Sequence, residues 1–423
     1  MQKRNFLFLQ GPTSPFFSKL GDRLLAAGAG VFRINFCVGD AVYWRNKQAW
    51  KYRASADNLP EFIEQKVINY GITDIIMLGD TRPVNAPAIS IGERHNVRVH
   101  VFEEGYFRPR WLTLEEGGIN GHSRLPKCPQ WYRRIAPELN PIDTGETISN
   151  PVLLLGMHEI GYHAPNLLNP LLYPGYKTHR PYISGVELAG WGARFAKMPL
   201  LERFDAKTIE QLLSNQTPYF ILPLQLDSDS QIQTHSPFDS MADVIRTTLT
   251  SFAKHAPVDN LLVIKNHPLD TGFVNFKKLI LQLEDSLGIK GRTLYLESGH
   301  LPTLLDHCQG VITINSTVGT SALFHKCRTL ALADPIYNIP GLTAQCSLDE
   351  FWTDTEYPDQ KLFQYFQRAV IQLTQINGGL YSQKGISTGV ESAYQRLLLS
   401  ESPLQAMLRR FPVQPPSESC NAH

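Results

Sequence analysis

Residues 261–268 read Leu261-Leu262-Val263-Ile264-Lys265-Asn266-His267-Pro268, and residues 310–321 read Gly310-Val311-Ile312-Thr313-Ile314-Asn315-Ser316-Thr317-Val318-Gly319-Thr320-Ser321. Each is a short apolar run that breaks abruptly into polar residues. A run of this length, β-branched and without polar interruptions, reads as a strand buried on both faces, the habit of parallel sheets. Pro268 ends the first ladder and sets its exit angle. The second strand leads directly into a helix expected to begin near Ser316 or Thr317. Strand, polar turn and helix together form the repeating unit of doubly wound α/β folds.

The same grammar extends outward from these two runs. In the second half, strands are predicted at 219–224, 293–296 and 329–333, with helices at 241–254, 276–287 and 318–325. In the first half, strands fall at 6–9, 31–37, 74–78 and 97–102, and helices at 16–27 and 61–70. The rhythm stops between 105 and 182, where Pro, Gly, Trp and Arg cluster into an expected elaborate loop region, and it restarts near 216. Further helices are expected at 360–375 and 391–399. The expected architecture is two Rossmann-like parallel-sheet domains facing a cleft. Residues 1–205 form the first and 206–350 the second, with 351–412 packing back on the first and 413–423 a loose tail. Ligands of open α/β sheets bind outside the carboxyl ends of the strands, so the residues there are the candidates for function.

The length of 423 residues suits two or three domains at roughly 150 residues each. With 43% hydrophobic and 19% charged residues the chain is an ordinary globular protein, not a disordered one. Its 40 basic and 39 acidic residues leave +1, which excludes coating nucleic acid by bulk electrostatics, so an anionic partner must be met by a local patch. Six scattered cysteines without a C-x-x-C pair fit a reducing compartment. The apolar stretch before Gln10 is too short for a signal peptide, and there is no run of about 18 apolar residues to span a bilayer. A cytoplasmic location is expected.

Several familiar patterns fail. Gly28 and Gly30 lack the third glycine of a dinucleotide fingerprint, and His158 and His163 are five apart, one too many for a zinc-binding helix face. Asp143-Thr144-Gly145 and Asp270-Thr271-Gly272 imitate aspartic-protease carboxylates but follow prolines that suit turns better. Asp227-Ser228-Asp229 resembles a metal-holding D-x-D, and a solvated strand-end turn explains it equally well.

Others survive. Lys265 and His267 emerge at one strand end and can present positive charge and donors to a phosphate, with Pro268 fixing the exit. Asn315, Ser316 and Thr317 open the following helix, where hydroxyls and free N–H groups suit an anion; capping alone needs only one of them. In the first half, Glu103 and Glu104 leave an apolar strand together, and two adjacent carboxylates repel unless one is protonated or paired. Arg108 is the obvious partner. Asp80 and Arg82 close the preceding strand and are expected to face the same cleft.

These motifs, with Gln10-Gly11-Pro12-x-Ser14-Pro15, Arg33-Ile34-Asn35-Phe36 and Pro223-Leu224-Gln225, occur in the order in which they resemble the KpsS-type capsule polysaccharide biosynthesis proteins, over about residues 5–345. The resemblance implies a GT-B-like retaining glycosyltransferase that moves Kdo from CMP-β-Kdo onto a phosphatidylglycerol-type lipid to start the capsule linker. It implies Glu104 as the catalytic carboxylate, at the position where related Kdo transferases carry Asp, either as nucleophile or as base of a front-face route. His267 is a second catalytic candidate and Asp229 a reserve carboxylate. Lys265, His267, Pro268, Asn315, Ser316 and Thr317 are expected to hold the CMP phosphate without any metal cofactor, since one phosphate is neutralised by His and a helix end. Asp80, Arg82, Glu103, Arg108, Gln225 and Asp227 are the sugar or cleft candidates.

A lipid acceptor requires a docking face. Residues 106–134 carry six basic and two acidic side chains, a net +4, with aromatics interleaved, so Arg110, Trp111, Trp131, Arg133 and Arg134 are expected to meet an anionic membrane. The protein is thus expected to be peripheral on the inner face of the cytoplasmic membrane, beside other capsule biosynthesis and export proteins and without nucleic acid. Two other readings stand beside this one: a metal-dependent nucleotide-sugar transferase using Asp227 and Asp229, and a non-catalytic subunit that binds lipid-linked glycan.

Overall fold

A computed structural model describes residues 4–45, 47–142, 145–149, 151–177, 184–226, 236–268, 270, 272 and 274–413. The chain divides into two compact α/β units, Met1–His179 with Tyr365–His423, and Arg180–Gln364.

The sheet of the first unit contains β1 (Asn5–Phe8), β2 (Gly30–Asn35), β3 (Ala49–Lys51), β4 (Asp74–Leu78), β5 (Arg98–Glu104), β6 (Trp111–Glu116) and, from the end of the chain, β12 (Gln375–Asn377). Its order is β12-β6-β5-β4-β1-β2-β3. The five strands β1 to β5 pair in parallel, while β6 and β12 extend the sheet antiparallel. Alternation along β1 explains its double burial. Phe6 and Phe8 pack on one face with Phe16 and Phe17 of the helix Phe16–Ala26, and Leu7 and Leu9 pack on the other with Ile34, Ile75 and Met77. Each such side chain contributes about 1.5–3 kcal/mol of burial.

The second unit has five strands, β7 (Tyr219–Pro223), β8 (Leu261–Lys265), β9 (Thr293–Leu296), β10 (Gly310–Thr313) and β11 (Thr329–Ala331), ordered β11-β10-β7-β8-β9 and parallel throughout. All five residues of β7 are buried. No helix among the described residues is long and apolar enough to cross a membrane.

The expected α/β class with two Rossmann-like parallel sheets is what the chain adopts. Three expectations need correction. The region 105–182 is not a plain loop: it contains β6 and the helices Pro129–Ile135, Val152–His163 and Asn169–Leu172. Two of these begin with Pro at a first-turn position, which a reading of proline as a breaker misses. The division between the units falls near 180, not 206, because the helix Ser184–Ser214 sends Ile209 and Leu212 into the core of Tyr219, Ile221 and Val263. The chain returns to the first unit at 365, not 351, since Phe351 and Trp352 lie in the core of the second.

Candidate functional site

In the first unit the parallel strands release their polar residues at one edge. After β4, Gly79 adopts a φ of +71°, a left-handed conformation suited to glycine, and so redirects the chain into Asp80 and Arg82. Asn85 ties this turn to the end of β1. Its side-chain amide donates to the carbonyls of Leu78 (2.9 Å), Gly79 (3.1 Å) and Gln10 (3.3 Å), and its oxygen accepts the Gln10 N–H at 3.1 Å. Arg82 donates to the Gly11 carbonyl at 3.2 Å. Asp80 is buried, accepting from the Ile119 N–H at 3.1 Å and pairing with His122 at 3.0 Å. It ties the end of β4 to the loop at 119–122.

Glu103 and Glu104 end β5, where consecutive side chains leave opposite faces of the sheet. Their mutual repulsion persists nonetheless, and it adds to the effect of burial on Glu103. Burial pushes the Glu103 carboxyl up, opposed by the charge of Arg82 and by the Glu104 N–H that it accepts at 3.0 Å. Glu104 is part-exposed and paired with Arg108 at 2.9 Å, the partner expected for it. Gly105 lets the chain turn immediately afterwards, since a Cβ there would lie 2.2 Å from the Trp111 carbonyl.

The sequence reading missed three residues beside these carboxylates. The helix Val152–His163 brings Glu159 to Thr13, whose hydroxyl donates at 2.6 Å, and His158 to the Tyr381 carbonyl at 3.2 Å. Burial, together with the charges of Glu104, Glu159 and Glu103, pushes the Tyr381 phenol up. The charges of three carboxylates and Arg82 are thus felt at one tyrosine. No local pattern links residues 82, 104, 159 and 381.

In the second unit the ends of β8, β7 and β10 lie side by side. Gln225 after β7 is buried and donates to the Asn315 side chain at 3.1 Å, so these two candidates are joined. The carbonyl of Ser316 accepts from Tyr337 at 2.6 Å, and its hydroxyl accepts the Val318 N–H at 3.2 Å. The helix Val318–Phe324, with Thr317 at its cap, is thereby closed partly on itself. His267 and Pro268 stand at the surface of the edge, His267 partly exposed. Lys265 differs from expectation: it is buried, its ammonium 3.5 Å from the Asn266 carbonyl, and burial lowers its pKa with Asp205 opposing and Arg194 reinforcing the shift. Lys265 is the last residue of β8 and still lies in the ladder, beside Pro223 and Leu296, whereas His267 lies beyond the strand end. Arg194, from the unexpected helix, supplies a second buried cation, 3.1 Å from Glu297 and 3.4 Å from the His267 carbonyl. Asp227 and Asp229 lie outside the described residues.

The expected lipid-binding segment is largely structural. Trp111 and Arg110 belong to or adjoin β6, and Trp111 is only part-exposed. Trp131 is 1% exposed and donates to the Phe411 carbonyl at 2.8 Å. Arg134 donates to the Pro412 carbonyl, and Arg133 points outward on the helix Pro129–Ile135. The aromatics of this helix fill the core with Phe366, which removes Trp131 from any surface.

Glu115, on β6, makes one pH effect testable. Burial pushes its carboxyl up to about 7, although the Ser123 and Tyr106 hydroxyls donate to it. A carboxyl raised in the fold stabilises most below its ordinary value and loses that contribution as the pH climbs through about 7. The protein should therefore lose about 3 kcal/mol of stability between pH 5 and pH 8.5, and Glu115→Gln should flatten that slope in urea titrations. An unchanged slope would place the titration elsewhere.

Two parallel-sheet units whose strands end in linked polar side chains define a two-unit α/β protein with its candidate site residues at strand ends. The chain belongs to the capsule polysaccharide biosynthesis protein family, whose sequence model matches residues 73–381. It is 34% identical over 391 residues to the capsule polysaccharide modification protein LipB of Neisseria meningitidis serogroup B, covering 90% of this chain and 92% of that one. It is 32% identical over 379 residues to the capsule polysaccharide export protein KpsS of Escherichia coli, covering 89% and 97%. Among solved structures it is similar to the KpsC β-Kdo 2,7 transferase of Thermosulfurimonas dismutans, at 12% identity and a TM-score of 0.42 over 93% of this chain and 99% of that one.

Proposed function

We propose that this protein is a retaining glycosyltransferase that moves Kdo from CMP-β-Kdo to a phosphatidylglycerol-type lipid, opening the linker on which capsular polysaccharide is built. The observation that carries the reading is Glu104. It is a part-exposed carboxylate at a strand end, paired to Arg108 at 2.9 Å and set among Glu103, Glu159 and Tyr381. Retention needs two displacements. A Glu104 oxygen bonds to the anomeric carbon as the bond to the CMP phosphate breaks and CMP departs; the lipid hydroxyl, losing its proton to a neighbouring base, then displaces Glu104. A front-face route would use Glu104 as that base instead. His267, with Asn315 and Ser316, offers donors to the single phosphate of the leaving group, and no metal is needed for this.

Family membership supports a place in capsule biosynthesis; the position at the membrane face, beside assembly and export proteins, is part of the proposal. The direct test is to incubate the purified protein with CMP-Kdo and a phosphatidylglycerol analogue and to look for Kdo-lipid by mass spectrometry. No product from folded protein overturns the reading. Loss of product on chelation would favour a metal held by Asp227 and Asp229. His267→Ala is expected to lower kcat/KM for the donor by roughly 10–100-fold, the value of one charge-assisted hydrogen bond to phosphate. A change under twofold would remove His267 from the donor site.

A further inference from the structure

The stretch from Val152 to Leu172 is inside out. It runs through the helix Val152–His163, a 3-10 turn over Ala164–Leu168 and the helix Asn169–Leu172. Its polar groups turn inward. Tyr162 donates to Asp40 at 2.8 Å, and the side-chain oxygens of Asn166 and Asn169 accept the N–H groups of Gly39 (2.8 Å) and Val38 (2.9 Å). His158 and Glu159 reach Tyr381 and Thr13, as described above. The outer stripe is Met157, Ile160, Leu167, Leu168, Leu171 and Leu172, all exposed, with Leu167 and Leu171 at 72% and 74%. A helix bathed in water does the reverse, hiding its leucines and showing its asparagines. Six large apolar side chains clustered on one face mark a surface built to be covered.

Charge says by what. Between 151 and 177 the one acidic residue is Glu159, which is buried. Exposed cations lie beside the stripe: Arg53 donates to the Leu171 carbonyl at 3.1 Å, and Lys177 lies five residues past Leu172. Arg45 ends the helix Val38–Tyr43, which packs on Val152–His163. An apolar stripe with cations at its rim and no exposed acid within 151–177 fits the interface of an anionic bilayer.

We infer that residues 157–172 seat the first unit on a lipid bilayer, with the inner face of the same stretch holding the Glu104 cluster. The inference rests on the lipid-acceptor reading, and it relocates the docking face expected at 106–134. A lipid headgroup would then reach Glu104 and Tyr381 while its chains stay in the membrane.

The test is flotation of the full-length protein with vesicles of two parts phosphatidylcholine to one part phosphatidylglycerol. Wild type is expected to float. The double variant Leu167→Ser/Leu171→Ser, with an unchanged circular dichroism spectrum, is expected to partition roughly tenfold or more weakly, yet to turn over a short-chain, water-soluble acceptor as wild type does. If the transfer reading fails, neither protein yields product but the flotation contrast remains, so the two failures are separable. The inference is overturned if wild type does not float, or if both proteins float equally. It is also overturned if wild type is a dimer that the double variant turns into a monomer, which would make the stripe an interface between copies.

Discussion

Glu104→Gln is expected to leave the protein folded and to lower Kdo transfer by roughly a thousandfold or more. The amide keeps the size of the carboxylate and removes its charge. The pair it breaks, with Arg108, is between two side chains that are 34% and 55% exposed, and such surface pairs contribute about 0–1 kcal/mol. The loss should therefore fall on turnover and not on the thermal transition, and the donor KM should move little because the phosphate is held by other residues. Trapping with a slow donor separates the two chemical routes. An adduct of Kdo mass on the peptide containing Glu104 marks a nucleophile, whereas loss of rate with no adduct marks a base. A variant that retains activity within tenfold of wild type would remove Glu104 from the reaction and pass the role to another carboxylate, Asp229 first.

Asp74→Asn is expected to cost about 3–5 kcal/mol of stability while leaving turnover per folded molecule unchanged. Asp74 opens β4, at the end of the strand opposite the candidate site, and is 1% exposed. It is held by Arg4, by His100 at 2.8 Å, by Arg98 at 3.3 Å and by the Thr73 hydroxyl at 2.7 Å. Burial alone would raise its pKa, but the hydrogen bonds from His100 and Arg4 outweigh it and hold the carboxyl well below the usual carboxylate range. With the folded pKa depressed, this stabilisation is fully present above the ordinary value and is lost as the pH falls from there through the depressed folded value. The Asn variant should show a lower urea midpoint at pH 7 and a shallower loss of stability below about pH 4. Equal midpoints at pH 7 would mean that the cluster contributes nothing net.

Much of the scaffold was readable because its signals are local. β4, β8 and β9 lie where their apolar runs lie, at Asp74–Leu78, Leu261–Lys265 and Thr293–Leu296. β12 was missed because three residues following directly on the helix Gln360–Thr374 carry no period of their own; what makes Gln375–Asn377 a strand is the edge offered by β6. Proline at its first turn hides the helix Pro129–Ile135 from a reading of the sequence, and with it the reason why Trp131, expected at a membrane, is core. The repulsion expected between Glu103 and Glu104 is met as adjacent carboxylates require: burial and the neighbouring charge raise Glu103, and Glu104 is paired with Arg108.

The amino-acid sequence by itself determined two parallel-sheet units and the polar residues at which their strands end, because an apolar run and the residue that breaks it are adjacent in the chain. It also carried the ordered motifs of the capsule polysaccharide biosynthesis family. Only the tertiary structure decided which of those polar residues are buried in pairs and which remain open, for Asp80 is held by Ile119 and His122, Gln225 by Asn315 and Glu159 by Thr13, all far along the chain. The same holds for the exposed stripe at 157–172. Leucines at helical spacing ordinarily mean core, and only the fold, by turning Asn166, Asn169 and Glu159 inward to waiting donors, leaves those leucines facing out.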